Sequence, residues 1–255
     1  MKKMPALFIG HGSPMNAIEE NQYTKNWREI ARQIPKPEAI LAISAHWYTN
    51  GTRIMDEPQP KMIYDMYGFP QELYEINYKA PGAPELAHAT KDLIHENVIY
   101  DNSWGFDHGT WSVLHVMYPE ADIPVYQLSV DGRANGRTHF EIGQQVKDLR
   151  EKGVLILGSG NVVHNLSKVD FSMSGGYNWA HEFDEYIKNR IEQRAFSDVI
   201  DYRKAGPSSE KAFWTPDHFY PLLYVLGASK DEDRLSIFND SCVLGSLSMT
   251  SYLFE

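Results

Sequence analysis

The chain has one cysteine, Cys242, in 255 residues. An intramolecular disulfide is therefore excluded, as is any zinc site built on thiolates, and the scarcity fits a reducing compartment. Positive charge is also short: 24 Lys and Arg face 34 Asp and Glu, a formal charge of −10 with histidine neutral. A surface of that sign repels duplex nucleic acid and anionic membranes, so neither is expected as a partner. No apolar run reaches the length of a membrane span, and the run after the basic Met1-Lys2-Lys3 is too short for a signal peptide core. A cytoplasmic protein is the expectation. Complete nucleotide and nucleophile signatures are missing as well. Gly158-Ser159-Gly160 is neither a full G-x-G-x-x-G nor followed by a P-loop lysine, and neither Ser13 nor Ser159 lies in a G-x-S-x-G elbow.

What is present is enough apolar material, 42% of residues, for an ordinary globular core. Apolar runs at 6–9, 39–45, 125–130 and 154–157 read as buried strands of a parallel sheet. Helical spacing covers 22–34, 85–96, 110–118, 138–152, 179–193 and 217–227. Thr138 is the expected N-cap of its helix, with Glu141 completing a capping box. A short strand is expected at 75–78, and 102–109 reads as a polar loop. Alternation at 235–238 and 246–253 points to antiparallel strands closing one sheet edge. No repeat or linker divides the chain. The expected fold is a single α/β domain over 1–255, with a mixed, mainly parallel central sheet flanked by helices.

The ten histidines differ in their settings. His88, His95, His139 and His181 lie among charged neighbours in predicted helices and read as solvated surface groups. His115, on an apolar helix, reads as a packed or supporting histidine. The other five sit at element ends. His11 follows the first strand between Gly10 and Gly12, where glycine permits a sharp turn and leaves room for a ligand. His46 ends the second strand. His164 follows the Gly158-Ser159-Gly160 strand end. His218 opens a buried helix, and His108 lies in the aromatic, Gly-containing loop before Trp111. Ligands of open α/β sheets sit beyond the carboxyl ends of the strands, and neutral imidazoles suit Zn²⁺ or Fe(II). One shared metal site is the expectation. Tyr64, Tyr67, Phe69, Trp104, Phe106, Trp111 and Trp214 are candidates to line a pocket for a planar ligand or to pack in the core. Arg133 most simply belongs to a turn, within reach of an anionic group.

Four segments in series carry a resemblance: His-Gly-Ser-Pro at 11–14, Ser-Ala-His-Trp at 44–47, Gly-Phe-Asp-His-Gly-Thr-Trp at 105–111 and Gly-Ser-Gly-Asn-Val-Val-His-Asn at 158–165. Their order and spacing over nearly the whole chain resemble the 4,5-DOPA extradiol dioxygenases of the LigB-type superfamily. The resemblance implies a non-haem metal enzyme that opens a small catechol with O₂ to a muconate semialdehyde. It implies His11, His46, His164 and His218 as ligands of one divalent metal and His108 as the acid/base residue, with the adjacent Asp107 a candidate to orient it. Fe(II) is expected for ring cleavage. Zn²⁺ also suits an all-histidine shell, and Asp107 or Asp217 could add the carboxylate usual beside two histidines on Fe(II). Zinc, having no redox chemistry, would favour a hydrolase. The Memo proteins share the fold in a signalling role, so a non-catalytic metal-binding protein is the third alternative. The substrate's side chain and the oligomeric state have no sequence signal.

Overall fold

A computed structural model describes residues 2–255. Six strands form the central sheet: β1 (Ala6–Gly10), β2 (Ala39–Ser44), β3 (Val125–Gln127), β4 (Val154–Gly160), β5 (Leu235–Phe238) and β6 (Ser251–Phe254). Their order across the sheet is β3-β2-β4-β1-β6-β5. The first four are mutually parallel, with Leu7 beside Leu157 and Ala42 beside Leu157 on the other side of β4. β6 runs antiparallel to β1, and β5 antiparallel to β6. The fold is the mixed, mainly parallel sheet read from the sequence.

Both faces of the sheet are covered, which is why these strands read as unbroken apolar runs. Side chains alternate between two cores. Phe8, Leu41, Ile43, Ile156 and Tyr252 face one, with helices α4 (Gly136–Val146), α5 (Asn178–Glu192) and α6 (Tyr220–Ala228). Leu7, Ile9, Ile40, Ala42, Leu155 and Leu157 face the other, with α1 (Gln22–Gln33) and α3 (His108–Met117). Helix α2 (Pro84–Leu93) packs at the β3 edge, in the first core. Asn21 and Thr24 cap α1 reciprocally, and Pro35 and Pro37 follow its end.

Several local expectations are corrected. Residues 75–78 form no strand. Asn135, not Thr138, caps α4, because its side chain accepts the Thr138 amide; the helix then tightens into a 3₁₀ segment at Lys147–Lys152. The 125–130 run breaks after Gln127 and resumes as Val130–Asp131, paired with Tyr48–Thr49 outside the main sheet. Strand β4 runs past the expected 154–157 to Gly160, so Gly158-Ser159-Gly160 lies within the strand. Helix α6 starts at Tyr220, leaving His218 in the turn before it. His108 is the first residue of α3 and not part of a loop. His139 is fully buried: its Nδ1 lies 2.9 Å from the Tyr224 hydroxyl inside the first core. The charged neighbours that suggest a solvated position lie on the other side of the same helix. Helical position, not neighbour identity, decides exposure.

Candidate metal centre

Parallel strands deliver their carboxyl ends to one edge, and the histidines meet there. His11 leaves β1 and His46 leaves β2. The strand β4 between them supplies Ser159 and, four residues after Gly160, His164. His108 enters from the N-terminus of α3 and His218 from the turn before α6. The glycines beside His11 have a different use from the one expected. A Cβ on Gly10 would lie 2.7 Å from the Met249 backbone, and Gly12 takes a left-handed φ of 62° against the Met249 thioether. They let the 249 segment close over the strand end; room for a ligand is not what they provide.

Three rings aim nitrogens at one place. His11 Nε2 and His46 Nε2 are 3.3 Å apart. His11, His46 and His218 together offer ring nitrogens within 4.8 Å of one another. The other nitrogens of His11 and His218 are hydrogen-bonded, and that of His46 faces a carboxylate at ion-pair distance. His11 Nδ1 lies 3.0 Å from Ser159 Oγ, whose own proton is given to the Gly109 carbonyl, so His11 is the donor. His218 Nδ1 donates to Asp217 at 2.7 Å. His46 Nδ1 stands 3.0 Å from Asp65. An oriented Nδ1–H leaves a lone pair on Nε2, the arrangement of metal-binding histidines. The Nε2 of His218 is buried with no hydrogen-bond partner, an expensive atom to leave bare. The donor set thus fits a cation bound among these ring nitrogens.

The electrostatics agree with neutral ligands. Burial, reinforced by mutual repulsion with the other rings, holds His11 and His218 well below the usual histidine range. Burial also drives His164 down, to about 4. His46 is the exception: burial opposes its charge, but Asp65, Asp107 and Asp217 outweigh that and raise it. Burial lowers His108 too, with His46 adding to the effect and Asp65 opposing it.

The other sequence candidates fall into place around this centre. His164 lies flat against His218, with ring centroids 3.4 Å apart and planes 5° from parallel, outside the group of three converging nitrogens. His108 is next to His46, with centroids 3.8 Å apart. Asp107, expected as a partner for its neighbour, is instead the N-cap of α3. One oxygen accepts from Ser44 Oγ and the Thr110 amide, the other from Trp104 Nε1. The Ser44–Asp107 bond, 2.6 Å, ties the strand that carries His46 to the helix that carries His108. Ser159 is the support of His11 and not a nucleophile. Arg133 is exposed in the turn after Asp131. Phe106 and Trp111 are core, Trp104 is half-buried, and Tyr67 and Trp214 are exposed.

Sequence reasoning missed Asp65. Its Oδ2 is 3.0 Å from the Nδ1 atoms of both His46 and His108, and Oδ1 accepts the His108 amide at 2.8 Å. The available signal was a lone carboxylate between Tyr64 and Met66, in the middle of the aromatic loop at 62–70.

The family model for the catalytic LigB subunit of aromatic ring-opening dioxygenase matches residues 5–254. The chain belongs to the LigB family. It is 44% identical to the 4,5-DOPA dioxygenase extradiol of Escherichia coli K12, over 98% of this chain and 94% of that protein. It is 38% identical to the Beta vulgaris 4,5-DOPA dioxygenase extradiol, over 97% and 95%. A crystal structure of uncharacterized protein JW3007 from E. coli K12 superposes with a TM-score of 0.86 at 40% identity, covering 99% of this chain and all of that one. This LigB-family chain is an extradiol ring-cleaving dioxygenase by class, and the family implies a metal ion. Among the described residues, no helix is long and apolar enough to cross a membrane.

Proposed function

We propose that residues 1–255 act as one catalytic domain that opens a DOPA-like or other small catechol beside its two hydroxyls, giving a muconate semialdehyde. One metal is held by His11, His46 and His218, with His164 as the fourth ligand and His108 as the acid/base group. The observations that carry this reading are the convergence of ring nitrogens from His11, His46 and His218 and the buried, bare Nε2 of His218, in a chain of the LigB family. The relatives named 4,5-DOPA dioxygenase extradiol support the substrate class. Membership among ring-opening dioxygenases favours this reading over a zinc hydrolase or a Memo-like binding protein.

Fe(II) held by these histidines would supply the redox chemistry that lets a catechol react with O₂. Zn²⁺ fits the same nitrogens but gives a redox-inert protein. The chain's own residues do the rest. Ser159, Asp65 and Asp217 orient the rings of His11, His46 and His218 from behind. Burial keeps His108 uncharged at neutral pH, so one of its ring nitrogens can take a catechol hydroxyl proton and return it later. Both atoms of O₂ enter the product as one ring C–C bond breaks, and no further reductant is needed. The working setting is the cytoplasm, which the single, buried and unpaired thiol supports. No nucleic acid or membrane partner is proposed.

The test is anaerobic loading with Fe(II), then exposure to O₂ with DOPA and a panel of simple catechols. The expected result is stoichiometric O₂ uptake with a yellow semialdehyde. A protein that binds Fe(II) yet consumes no O₂ with any catechol refutes the reading.

A further inference from the structure

Asp65 reaches the centre from a loop that contributes no proposed metal ligand. The loop is fastened close by: the Ile63 amide donates to the Phe106 carbonyl, Trp111 Nε1 donates to the Ile63 carbonyl, and the Tyr64 hydroxyl donates to the Ile76 carbonyl. Two residues on, Tyr67 is 92% exposed, so the anchoring is concentrated at and before Asp65. One carboxylate oxygen takes the His108 amide at the start of α3, where an unpaired N–H favours an anion. The other oxygen is equidistant, 3.0 Å, from the Nδ1 atoms of His46 and His108. Both contacts are at ion-pair distance. That oxygen and His108 Nδ1 are nevertheless buried without a well-directed hydrogen bond, so the pair is placed but not fully aligned. No other carboxylate among the described residues is positioned to do this. Asp107 spends its oxygens on Ser44, Trp104 and Thr110, and Asp217 serves His218.

We propose that Asp65 is a positioning residue for two histidines at once: it holds both His46 and His108 in the Nδ1–H form. This inference rests on the roles given to those histidines above. The shared carboxylate then has two consequences from one atom. His46 presents the Nε2 lone pair toward His11 Nε2, as a metal ligand must. His108 keeps its Nε2 lone pair free to receive a proton. Metal affinity and proton transfer are coupled through a residue that touches neither metal nor substrate. The alternative chemistry of the same atoms is direct ligation, since His46, Asp65 and His108 also place ligand atoms within 4.8 Å of one another. His46 separates the two readings, because its Nε2 serves the three-histidine site and its Nδ1 faces Asp65.

The experiment uses the full chain. Long-range ¹⁵N–¹H correlation of ¹⁵N-histidine protein, free of metal and loaded with Zn²⁺, reads the tautomer of each ring. Both His46 and His108 are expected as Nδ1–H in the wild type, and an Nε2–H form of either overturns the proposal. Competition with a chromophoric chelator gives the Zn²⁺ affinity. Asp65→Asn, whose amide cannot accept from both rings while accepting the His108 amide, is expected to weaken Zn²⁺ about 10–100-fold. With Fe(II), it is expected to lower kcat more than it raises KM, and Asp65→Glu to restore part of both losses. Wild-type Zn²⁺ affinity in Asp65→Asn overturns the proposal, and so does loss of Zn²⁺ as complete as in His11→Ala, which would make Asp65 a ligand. The wild-type tautomers decide the matter if the variants do not fold. Failure of every catechol to react would refute the enzymatic reading alone; the tautomers and the Zn²⁺ affinities would still decide the role of Asp65.

Discussion

Gly160 and His218 touch backbone to backbone: a Cβ on Gly160 would lie 2.1 Å from the His218 carbonyl oxygen. The next residue of the strand end, Asn161, donates its amide to that same carbonyl at 2.9 Å. The turn that carries one proposed ligand is thus seated directly on the end of β4, and the absence of a side chain sets how close it sits. Gly158 repeats the device two residues earlier in the strand, against the Pro221 carbonyl.

Gly160→Ala is therefore expected to push the 218 turn outward. The obstruction is backbone, which cannot rotate away as a side chain can. A stability loss of about 1–3 kcal/mol is expected in urea unfolding. Zn²⁺ affinity, measured by chelator competition, falls with it. An alanine variant with wild-type metal affinity would show that this contact does not place His218.

The four proposed ligands are not expected to contribute equally. His11→Ala and His218→Ala should leave no measurable Zn²⁺ binding, since each removes one of the three converging nitrogens. His164→Ala removes the fourth ligand but leaves the three converging nitrogens, so a site of lower affinity should survive. Its ring stacks behind His218 and is not among the three. Equal losses in all three variants would place His164 on the same footing as the others.

His108→Gln is expected to bind metal and to fold as the wild type does, while turnover of a catechol drops about 10²–10⁴-fold, the usual loss for a general acid/base group. Metal content per chain, measured alongside kcat, checks the separation. Loss of metal with loss of activity would make His108 a ligand.

Buried His139 predicts acid sensitivity away from the centre. Burial lowers its imidazole from the usual 6.5 to about 4. The unfolded chain therefore binds a proton that the folded chain refuses between those values. Stability present above pH 6.5 is lost as pH falls through this window, by up to about 3 kcal/mol for this group alone. His139→Phe fills a similar space, and Tyr224 keeps its own acceptor at the Ser129 carbonyl. Chemical unfolding at pH 7 and at pH 4.5 should show a smaller drop for the variant than for the wild type. Identical drops would put the acid-labile group elsewhere.

Much of the centre is legible in the sequence because chain direction carries it. Parallel strands end at a common edge, so a histidine directly after an apolar run, as at His11 and His46, is placed by strand polarity alone. Motifs point to His164 and His108, but not to their geometry. His164 sits face to face with His218, a relation between segments more than 50 residues apart that no spacing expresses. Asp107 reads as an orienting partner because it adjoins His108 in sequence. At a helix N-terminus, adjacent residues point apart, and its side chain turns back to cap Thr110.

The sequence by itself determined the layered α/β fold, the acidic net charge, the lack of any site built on several thiolates, and a histidine-rich strand edge. Each follows from periodicity, composition or the end of a strand, which are local properties. Only the tertiary structure decided which histidine rings converge, that Ser159, Asp217 and Asp65 stand behind them, and that His139 is buried. Those facts depend on contacts between distant segments and on the direction of single side chains. Both are set by how β1, β2, β4, α3 and the 218 turn pack together, and not by any one of them alone.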